Sequence, residues 1–131
     1  MTSDACAVIG DWSLEFRLVP EIGVKDLAKK LEQGERFTLL DVREEWEIRL
    51  AAIRDERVLA LPMSVLARQL KDAFPEPLRD PDAPMVVMCH HGIRSANVTA
   101  WMRENGWKNV TSLAGGIEAY ASQVGASVGF Y

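Results

Sequence analysis

Residues 85–95 read Met85-Val86-Val87-Met88-Cys89-His90-His91-Gly92-Ile93-Arg94-Ser95, and this stretch decides the fold of the chain. Residues 85–88 form the most continuously apolar run in the sequence, which is typical of a strand buried on both faces of a sheet. After Ser95, apolar residues recur at helical spacing and predict a helix that runs to about Asn105. A buried strand that passes through a short polar loop into a helix is the repeating unit of α/β domains.

The same alternation of strands and helices continues on both sides of this stretch. Short apolar runs predict further strands at residues 37–42, 57–60 and 109–113. Apolar spacing predicts helices at 23–33, in a short segment after Arg43, at 62–74 and from Gly116 to about Tyr120. Four prolines in residues 75–84 predict a surface loop without regular structure. The pattern predicts an α/β domain in three layers, with a mainly parallel sheet of about five strands and helices on both faces.

Three of the tryptophans are expected to contribute to the core of this domain. Trp46, Trp101 and Trp107 stand on predicted helix faces or next to a predicted strand. Large aromatic side chains bury extensive apolar surface, so we expect all three in or near the core. An alternative position for Trp46 is the mouth of a pocket.

Length and composition limit the classes of protein to consider. The 131 residues fit one domain, which we expect at 21–131 with the C-terminal tail included, after a lead-in at 1–20. A net charge of -4 argues against a nucleic-acid binder, because no basic cluster is present to neutralise phosphates. No apolar run approaches the roughly 20 residues of a membrane span, and no signal peptide is recognisable, so we expect a cytoplasmic protein.

The two cysteines, Cys6 and Cys89, do not form a disulfide framework. We expect Cys6 to be an ordinary thiol of the lead-in, with a resolving thiol as the alternative. Cys89, His90 and His91 are adjacent and cannot readily converge on one ion, so we expect no metal site and no other cofactor.

The loop after Cys89 is suited to negative charge. The N-terminus of the following helix lowers the pKa of a nearby thiol through its free N–H groups and its dipole. Gly92 lets the loop curl so that its N–H groups converge, while Arg94, His90 and His91 add cationic or donor groups. The alternative is a buried thiol at a strand end with no chemical role.

Asp41 stands at the end of another predicted strand, and ligands in parallel sheets bind at the carboxyl ends of strands. Its carboxylate is expected to accept hydrogen bonds from the loop, to pair with Arg43 or Arg94, or simply to cap a turn. Arg43 is expected to be either a cation at the rim of the site or a solvated charge.

Three segments resemble the rhodanese family and follow its order over residues 22–121. Residues 89–95 resemble its active-site loop, residues 39–44 (Leu-Leu-Asp-Val-Arg-Glu) its early strand, and residues 113–120 (Leu-Ala-Gly-Gly-Ile-Glu-Ala-Tyr) its closing turn and helix. The chain has Ala51-Ala52 where that family commonly has a Gly-His pair.

The resemblance implies a sulfurtransferase that carries sulfur as a persulfide on Cys89. It implies a small sulfur donor such as thiosulfate, and cyanide, a thiol or a protein as the acceptor. The donor would be received by the loop residues His90, His91, Gly92, Ile93, Arg94 and Ser95, with Asp41 and Arg43 in support. Family members that use thiosulfate well tend to carry Arg or Lys where this chain has His90 and His91.

Two other functions are compatible with the fold. Related phosphatases and arsenate reductases have five residues between the loop cysteine and arginine, whereas only four separate Cys89 from Arg94. Non-catalytic binding modules of the fold usually lose the cysteine or the loop glycine, and this chain has both. The loop therefore favours sulfur transfer over either alternative.

Overall fold

The computed structural model describes residues 19–131, in which five strands alternate with five α-helices. Cys6 and most of the lead-in lie outside the described residues. The strands are β1 (Glu21–Ile22), β2 (Thr38–Asp41), β3 (Val58–Ala60), β4 (Met85–Met88) and β5 (Val110–Leu113). The helices are α1 (Val24–Glu32), α2 (Glu45–Leu50), α3 (Met63–Gln69), α4 (Ile93–Glu104) and α5 (Gly116–Gln123). Short 3-10 turns lie at Leu70–Ala73, Glu76–Arg79 and Ala126–Val128.

All five strands are parallel and lie side by side in the order β1-β5-β4-β2-β3. Strand β4 is central, with Val87 aligned to Leu40 on one side and to Ser112 on the other. Because the strands are parallel, their carboxyl ends meet at one edge of the sheet, where Asp41 and Cys89 both lie. The predicted mainly parallel sheet is confirmed.

Each face of the sheet carries its own core. Alternate strand residues point to opposite sides: Leu40 and Val87 belong to the core beneath α3 and α4, while Leu39 and Val86 belong to the core beneath α1 and α5. Burial on both faces explains why all of β4 and the middle of β2 are apolar. The three-layer architecture follows directly from this arrangement.

Two sequence-based expectations about α2 and the proline-rich loop are wrong. Trp101 and Trp107 are buried as expected, but Trp46 is 60% exposed. Helix α2 has only six residues, and its buried position is Glu47. The loop at 75–84 contains a 3-10 turn at Glu76–Arg79. Pro77 is compatible with this turn, because residues in the first turn of a helix do not need to donate a backbone N–H.

Within residues 19–131, no helix is long and apolar enough to cross a membrane.

Candidate active site

Cys89 follows β4 directly, at the carboxyl edge of the sheet. Its side chain is 1% exposed and lies in the core beneath α4, beside the N-terminus of that helix. The neighbouring strand is held in register here, since the Val42 N–H donates to the Met88 carbonyl at 3.0 Å. The sulfur is therefore enclosed by the protein where the sheet ends and α4 begins.

Two backbone N–H groups point at the Cys89 sulfur. Gly92 N donates to Sγ at 3.1 Å and Ser95 N donates to it at 3.3 Å. The loop closes around the sulfur because Gly92 has φ +102°, a left-handed conformation that favours glycine. Both donors are thus placed to stabilise negative charge on the sulfur.

The Ser95 hydroxyl is a third polar group beside the sulfur. The Cys89 thiol donates to Ser95 Oγ at 3.4 Å, and that oxygen lies 2.8 Å from Ser112 Oγ on β5. Ser95 Oγ also donates to the Gly92 carbonyl at 3.2 Å. Once the thiol loses its proton, the Ser95 hydroxyl is close enough to turn and donate to the sulfur.

The carbonyl groups of the loop are held away from the sulfur by α5. Ile117 N donates to the Cys89 carbonyl at 2.9 Å and Glu118 N donates to the His90 carbonyl at 3.1 Å. These two carbonyls are therefore already paired with α5. The N–H groups of His90, His91, Ile93 and Arg94 donate to no atom within residues 19–131. They are available to an anion.

Arg94 is held by a carboxylate that sequence analysis did not identify. Its Nη1 and Nη2 donate to Glu47 Oε2 and Oε1, each at 2.7 Å. Arg94 lowers the pKa of Glu47 from its ordinary value to about 2, and Glu47 in turn raises that of Arg94. Both side chains are therefore charged at neutral pH, and the charge of Arg94 is largely balanced.

Asp41 and Arg43 form a second, fully buried ion pair. Arg43 Nε donates to Asp41 Oδ1 at 2.9 Å and Nη2 donates to Oδ2 at 2.7 Å. Of the partners expected for Asp41, the structure has Arg43. The expectation that Arg43 lies at the rim or in solvent is wrong, because its guanidinium has no exposed surface. Burial alone would lower the pKa of Arg43, but the Asp41 carboxylate and Tyr131 together more than offset this effect.

Tyr131 joins the two ion pairs, and sequence analysis did not identify it either. Its hydroxyl donates to Glu47 Oε1 at 3.0 Å and accepts from Arg43 Nη1 at 3.2 Å. Its ring stacks on the ring of His90, with centroids 3.8 Å apart. The C-terminal tail thus reaches the carboxyl edge of the sheet.

The two histidines and Ile93 form the outer part of the loop. The His90 ring lies between Tyr131 and His91, whose ring centroid is 3.9 Å away. His90 Nε2 lies 3.4 Å from Glu118 Oε1 but is not aligned for a hydrogen bond. Ile93 is exposed. Among the described residues, no three His, Cys, Asp or Glu side chains are grouped to hold a metal ion.

The predicted site residues occupy one region, but at different depths. The backbone and hydroxyl groups of Gly92 and Ser95 reach the sulfur, and Arg94 and His90 lie beside it in the same loop. Asp41 and Arg43 contact this region through Tyr131 and the Glu47 carbonyl, which accepts from Arg43 Nη1 at 3.3 Å. Asp41 and Arg43 are therefore linked to the loop indirectly, through Tyr131 and Glu47.

Comparison with known proteins agrees with the architecture. The family of rhodanese-like domains matches residues 23–123. A sulfurtransferase of Allochromatium vinosum is 32% identical over 104 residues, which cover 79% of this chain and 90% of that protein.

Other relatives are matched over less than half of their own length. The Rhodanese-like/PpiC domain-containing protein 12, chloroplastic, of Arabidopsis thaliana is 31% identical over 118 residues, or 86% of this chain and 38% of that protein. The thiosulfate sulfurtransferase GlpE of Haemophilus influenzae is 44% identical over 45 residues, or 34% of this chain and 43% of that protein.

Solved structures share the same fold. A rhodanese-related protein from Thermoplasma volcanium is 27% identical, with a TM-score of 0.64 over 80% of this chain and 93% of that one. A Rhodopseudomonas palustris protein described as a possible tyrosine phosphatase has a TM-score of 0.71 over 100% of this chain and 96% of that one. Its identity is 19%, so this likeness concerns the fold alone. The family match over residues 23–123 and the similarity to the Allochromatium relative show that this chain belongs to the family of rhodanese-like domains.

Proposed function

We propose that this protein is a sulfurtransferase that moves a sulfane sulfur from a donor to a thiophilic acceptor through a persulfide on Cys89. The observation that carries the proposal is the pair of N–H groups, from Gly92 and Ser95, that point at the Cys89 sulfur at 3.1 and 3.3 Å. A thiolate held in this way is a nucleophile that needs no separate base. The names of two relatives, which are sulfurtransferases, support the same reaction class.

The reaction has two steps, and each exchanges one bond to sulfur for another. In the first, the Cys89 thiolate attacks the outer sulfur of a donor such as thiosulfate. The donor's S–S bond breaks, and sulfite leaves with the electron pair. In the second, cyanide or a thiolate attacks the outer sulfur of the persulfide, and the Cys89 thiolate leaves. No net oxidation occurs and no cofactor is needed.

The loop supports this reaction by accommodating a terminal sulfur that bears negative charge. The N–H groups of His90, His91, Ile93 and Arg94 are without acceptors within residues 19–131, so they can receive the charge of the persulfide or the donor. Fixed donors in an enclosed site stabilise developing charge without the cost of reorganising water. Arg94 and the two histidines complete the surface that receives the donor.

Thiosulfate is one member of the donor class and is disfavoured by the local charge. Glu47 balances Arg94, and Glu118 lies 3.4 Å from His90, so this region lacks the excess of positive charge that would attract a dianion. The physiological donor is therefore expected to carry less charge than thiosulfate, for example a low-molecular-weight persulfide. The acceptor is a small thiol or a protein thiol.

We also propose that residues 21–131 act as one domain that includes the tail, because Val128 and Tyr131 pack against the core beneath α1 and α5. A reducing, cytoplasmic setting would keep Cys89 as the thiol that the reaction requires.

A turnover assay with a panel of donors tests the proposed function. Wild-type protein should form thiocyanate from cyanide and at least one of thiosulfate, a mercaptoacid sulfur donor or a low-molecular-weight persulfide. Cys89→Ser should reduce this activity to background, and the matched variant Cys6→Ser should retain it. Equal activity of Cys89→Ser and wild type would contradict the proposal.

The competing functions of the fold give different results in the same preparation. A phosphatase would hydrolyse an aryl phosphate, and an arsenate reductase would consume arsenate, with no thiocyanate formed. A binding module would retain a protein partner after Cys89→Ala and form no thiocyanate from any donor. Either pattern would replace sulfur transfer as the function.

A further inference from the structure

The C-terminal tail is docked against the end of α2 by contacts that leave little room for change. Ala52 N donates to the Val128 carbonyl at 2.9 Å. At Gly129, φ is +97°, and an added Cβ would lie 2.7 Å from the Leu50 carbonyl oxygen. A residue with a side chain would therefore be strained and would collide with backbone. Glycine at position 129 lets the following residues run closely over α2.

This docking places Tyr131 between the two charged pairs of the site. Its hydroxyl accepts from Arg43 Nη1 and donates to Glu47 Oε1, so its one proton and its oxygen are both used. Burial raises the pKa of Tyr131 above its ordinary value, which keeps the hydroxyl protonated near neutral pH. The phenol is therefore a permanent donor to Glu47.

The hydroxyl completes the set of hydrogen bonds that orients the Glu47 carboxylate. Oε2 accepts from Arg94 Nη1 at 2.7 Å and from Glu44 N at 3.0 Å, while Oε1 accepts from Arg94 Nη2 at 2.7 Å and from Tyr131. Each oxygen thus has one bond to Arg94 and one bond that fixes its direction. Without Tyr131, only the Glu44 N–H would orient the carboxylate that holds Arg94.

The ring of Tyr131 acts on a second loop residue. It is nearly parallel to the His90 ring, with 12° between the planes, and the edge of Trp46 packs against it at a centroid distance of 6.3 Å. His90 is thereby held between Tyr131 and His91. One side chain of the tail thus orders both Arg94, through Glu47, and His90 directly.

We propose that Tyr131 is a positioning residue of the active site, which sets the orientation of Arg94 and His90 toward the sulfur donor. The proposal rests on the proposed function, in which these two residues receive the donor. Tyr131 makes no contact with the Cys89 sulfur, whose donors come from Gly92 and Ser95. It therefore acts on donor binding rather than on the attack of Cys89.

Kinetics of two substitutions separate the hydroxyl from the ring. Tyr131→Phe keeps the stacked ring and removes the hydroxyl, so KM for the donor should rise roughly threefold to tenfold, the value of one typical hydrogen bond, with kcat little changed. Tyr131→Ala also removes the stack and should raise KM further. Phe130→Ala is the matched control, because Phe130 is the neighbouring residue and is 52% exposed. It should match wild type.

Nuclear magnetic resonance provides a readout that does not depend on turnover. The ring-current shift of the His90 ring protons should persist in Tyr131→Phe and become smaller in Tyr131→Ala, where only the His91 ring still stacks on His90. The guanidinium N–H signals of Arg94 should change in both variants. An unchanged KM in Tyr131→Phe would overturn the positioning role, whether or not the Arg94 signals change. A fall in Tm and kcat at constant KM would overturn it too, since it would indicate a structural role alone.

These results are distinguishable from failure of the proposed function. If wild-type protein forms no thiocyanate with any donor, sulfur transfer is wrong, and the Arg94 and His90 signals still decide whether Tyr131 orders the loop. If wild type is active and Tyr131→Phe equals it in KM with every donor, sulfur transfer stands and the positioning role is wrong.

Discussion

The chain contains the same local structure at opposite ends of its sheet. Asp41-Val42-Arg43 begins at the last residue of β2, and Asp55-Glu56-Arg57 directly precedes β3. In each, the arginine forms a two-bonded fork on the aspartate two residues earlier: 2.9 and 2.7 Å for Arg43, and 2.7 and 2.8 Å for Arg57. In each, the arginine N–H also donates to the same carboxylate. The two segments thus share the sequence motif Asp-x-Arg and nearly the same hydrogen-bond geometry.

The surroundings of the two forks differ. The Asp41 and Arg43 side chains are 1% and 0% exposed, while those of Asp55 and Arg57 are 21% and 20% exposed. Arg57 donates to the carbonyls of Leu31 and Glu35 and lines an open cavity of about 470 Å³ at the amino ends of the strands. This second fork therefore connects the end of α1 to the start of β3.

The two forks differ in their position in the sheet and not in their sequence motif. The fork at the carboxyl edge is connected through Tyr131 to Glu47, and Glu47 holds Arg94 in the Cys89 loop. Among residues 19–131, no hydrogen bond or ion pair connects the fork at the amino edge to the Cys89 loop. Of the two Asp-x-Arg sequences, the one near the candidate site is the one at the carboxyl end of a parallel strand, where ligands bind in such sheets.

Removing the carboxylate of the buried fork should have the largest effect on stability. Asp41→Asn leaves the buried Arg43 guanidinium without its charge partner, so we expect a loss of about 3–5 kcal/mol in the free energy of unfolding. Urea unfolding at neutral pH measures this loss. Sulfur transfer should fall as well, because Arg43 supports Tyr131 and Glu47.

Neutralising Glu47 should change the pH dependence of stability. Since its pKa is lowered to about 2 in the folded protein, its contribution is complete above its ordinary value of 4.5 and is lost as the pH falls through 2. Glu47→Gln should reduce stability by about 2 kcal/mol at pH 7, a value lowered to allow for the partial exposure of Arg94, and by less at pH 3. Unfolding in urea at pH 7, 4.5 and 3 measures the difference.

The control for Glu47 is its neighbour on the same helix. Glu45 pairs with Arg49, and both side chains are exposed. At each pH, Glu45→Gln should have nearly the same free energy of unfolding as wild type. A response equal to that of Glu47→Gln would show that net charge, and not the pairing with Arg94, is responsible.

The smallest effect is expected at the surface fork. Arg57 keeps its carbonyl partners and its access to water when Asp55 is changed, so Asp55→Asn should destabilise the protein far less than Asp41→Asn. Sulfur transfer should be unaffected. Equal losses of stability in the two variants would contradict the expectation that the buried fork stabilises the protein more than the partly exposed one.

The order of the elements and the Cys89 loop could be predicted because they depend on local patterns. The apolar run of β4, the spacing within α4 and the glycine of the loop each specify structure within a few residues. Strand β1 could not be predicted, because two residues carry no periodicity and pair with β5 only through the backbone. Trp46 was misplaced because helical spacing over six residues does not establish which face is inward.

Glu47 and Tyr131 were missed for a different reason. Glu47 stands in a run of acidic residues, and only its position three residues after Glu44 indicates a capping box, which the bond from Glu44 N to its carboxylate satisfies. Tyr131 lies 88 residues from Arg43 in the sequence, and no local pattern relates them. Contacts of this kind depend on the tertiary fold.

The mass of the intact protein shows whether Cys89 carries the transferred sulfur. After incubation with thiosulfate or a low-molecular-weight persulfide and removal of the donor, wild type and Cys6→Ser should each gain the mass of one sulfur atom, and cyanide should remove it. Cys89→Ser should gain nothing. An unchanged wild-type mass with every donor, or sulfur retained by Cys89→Ser, would contradict the account.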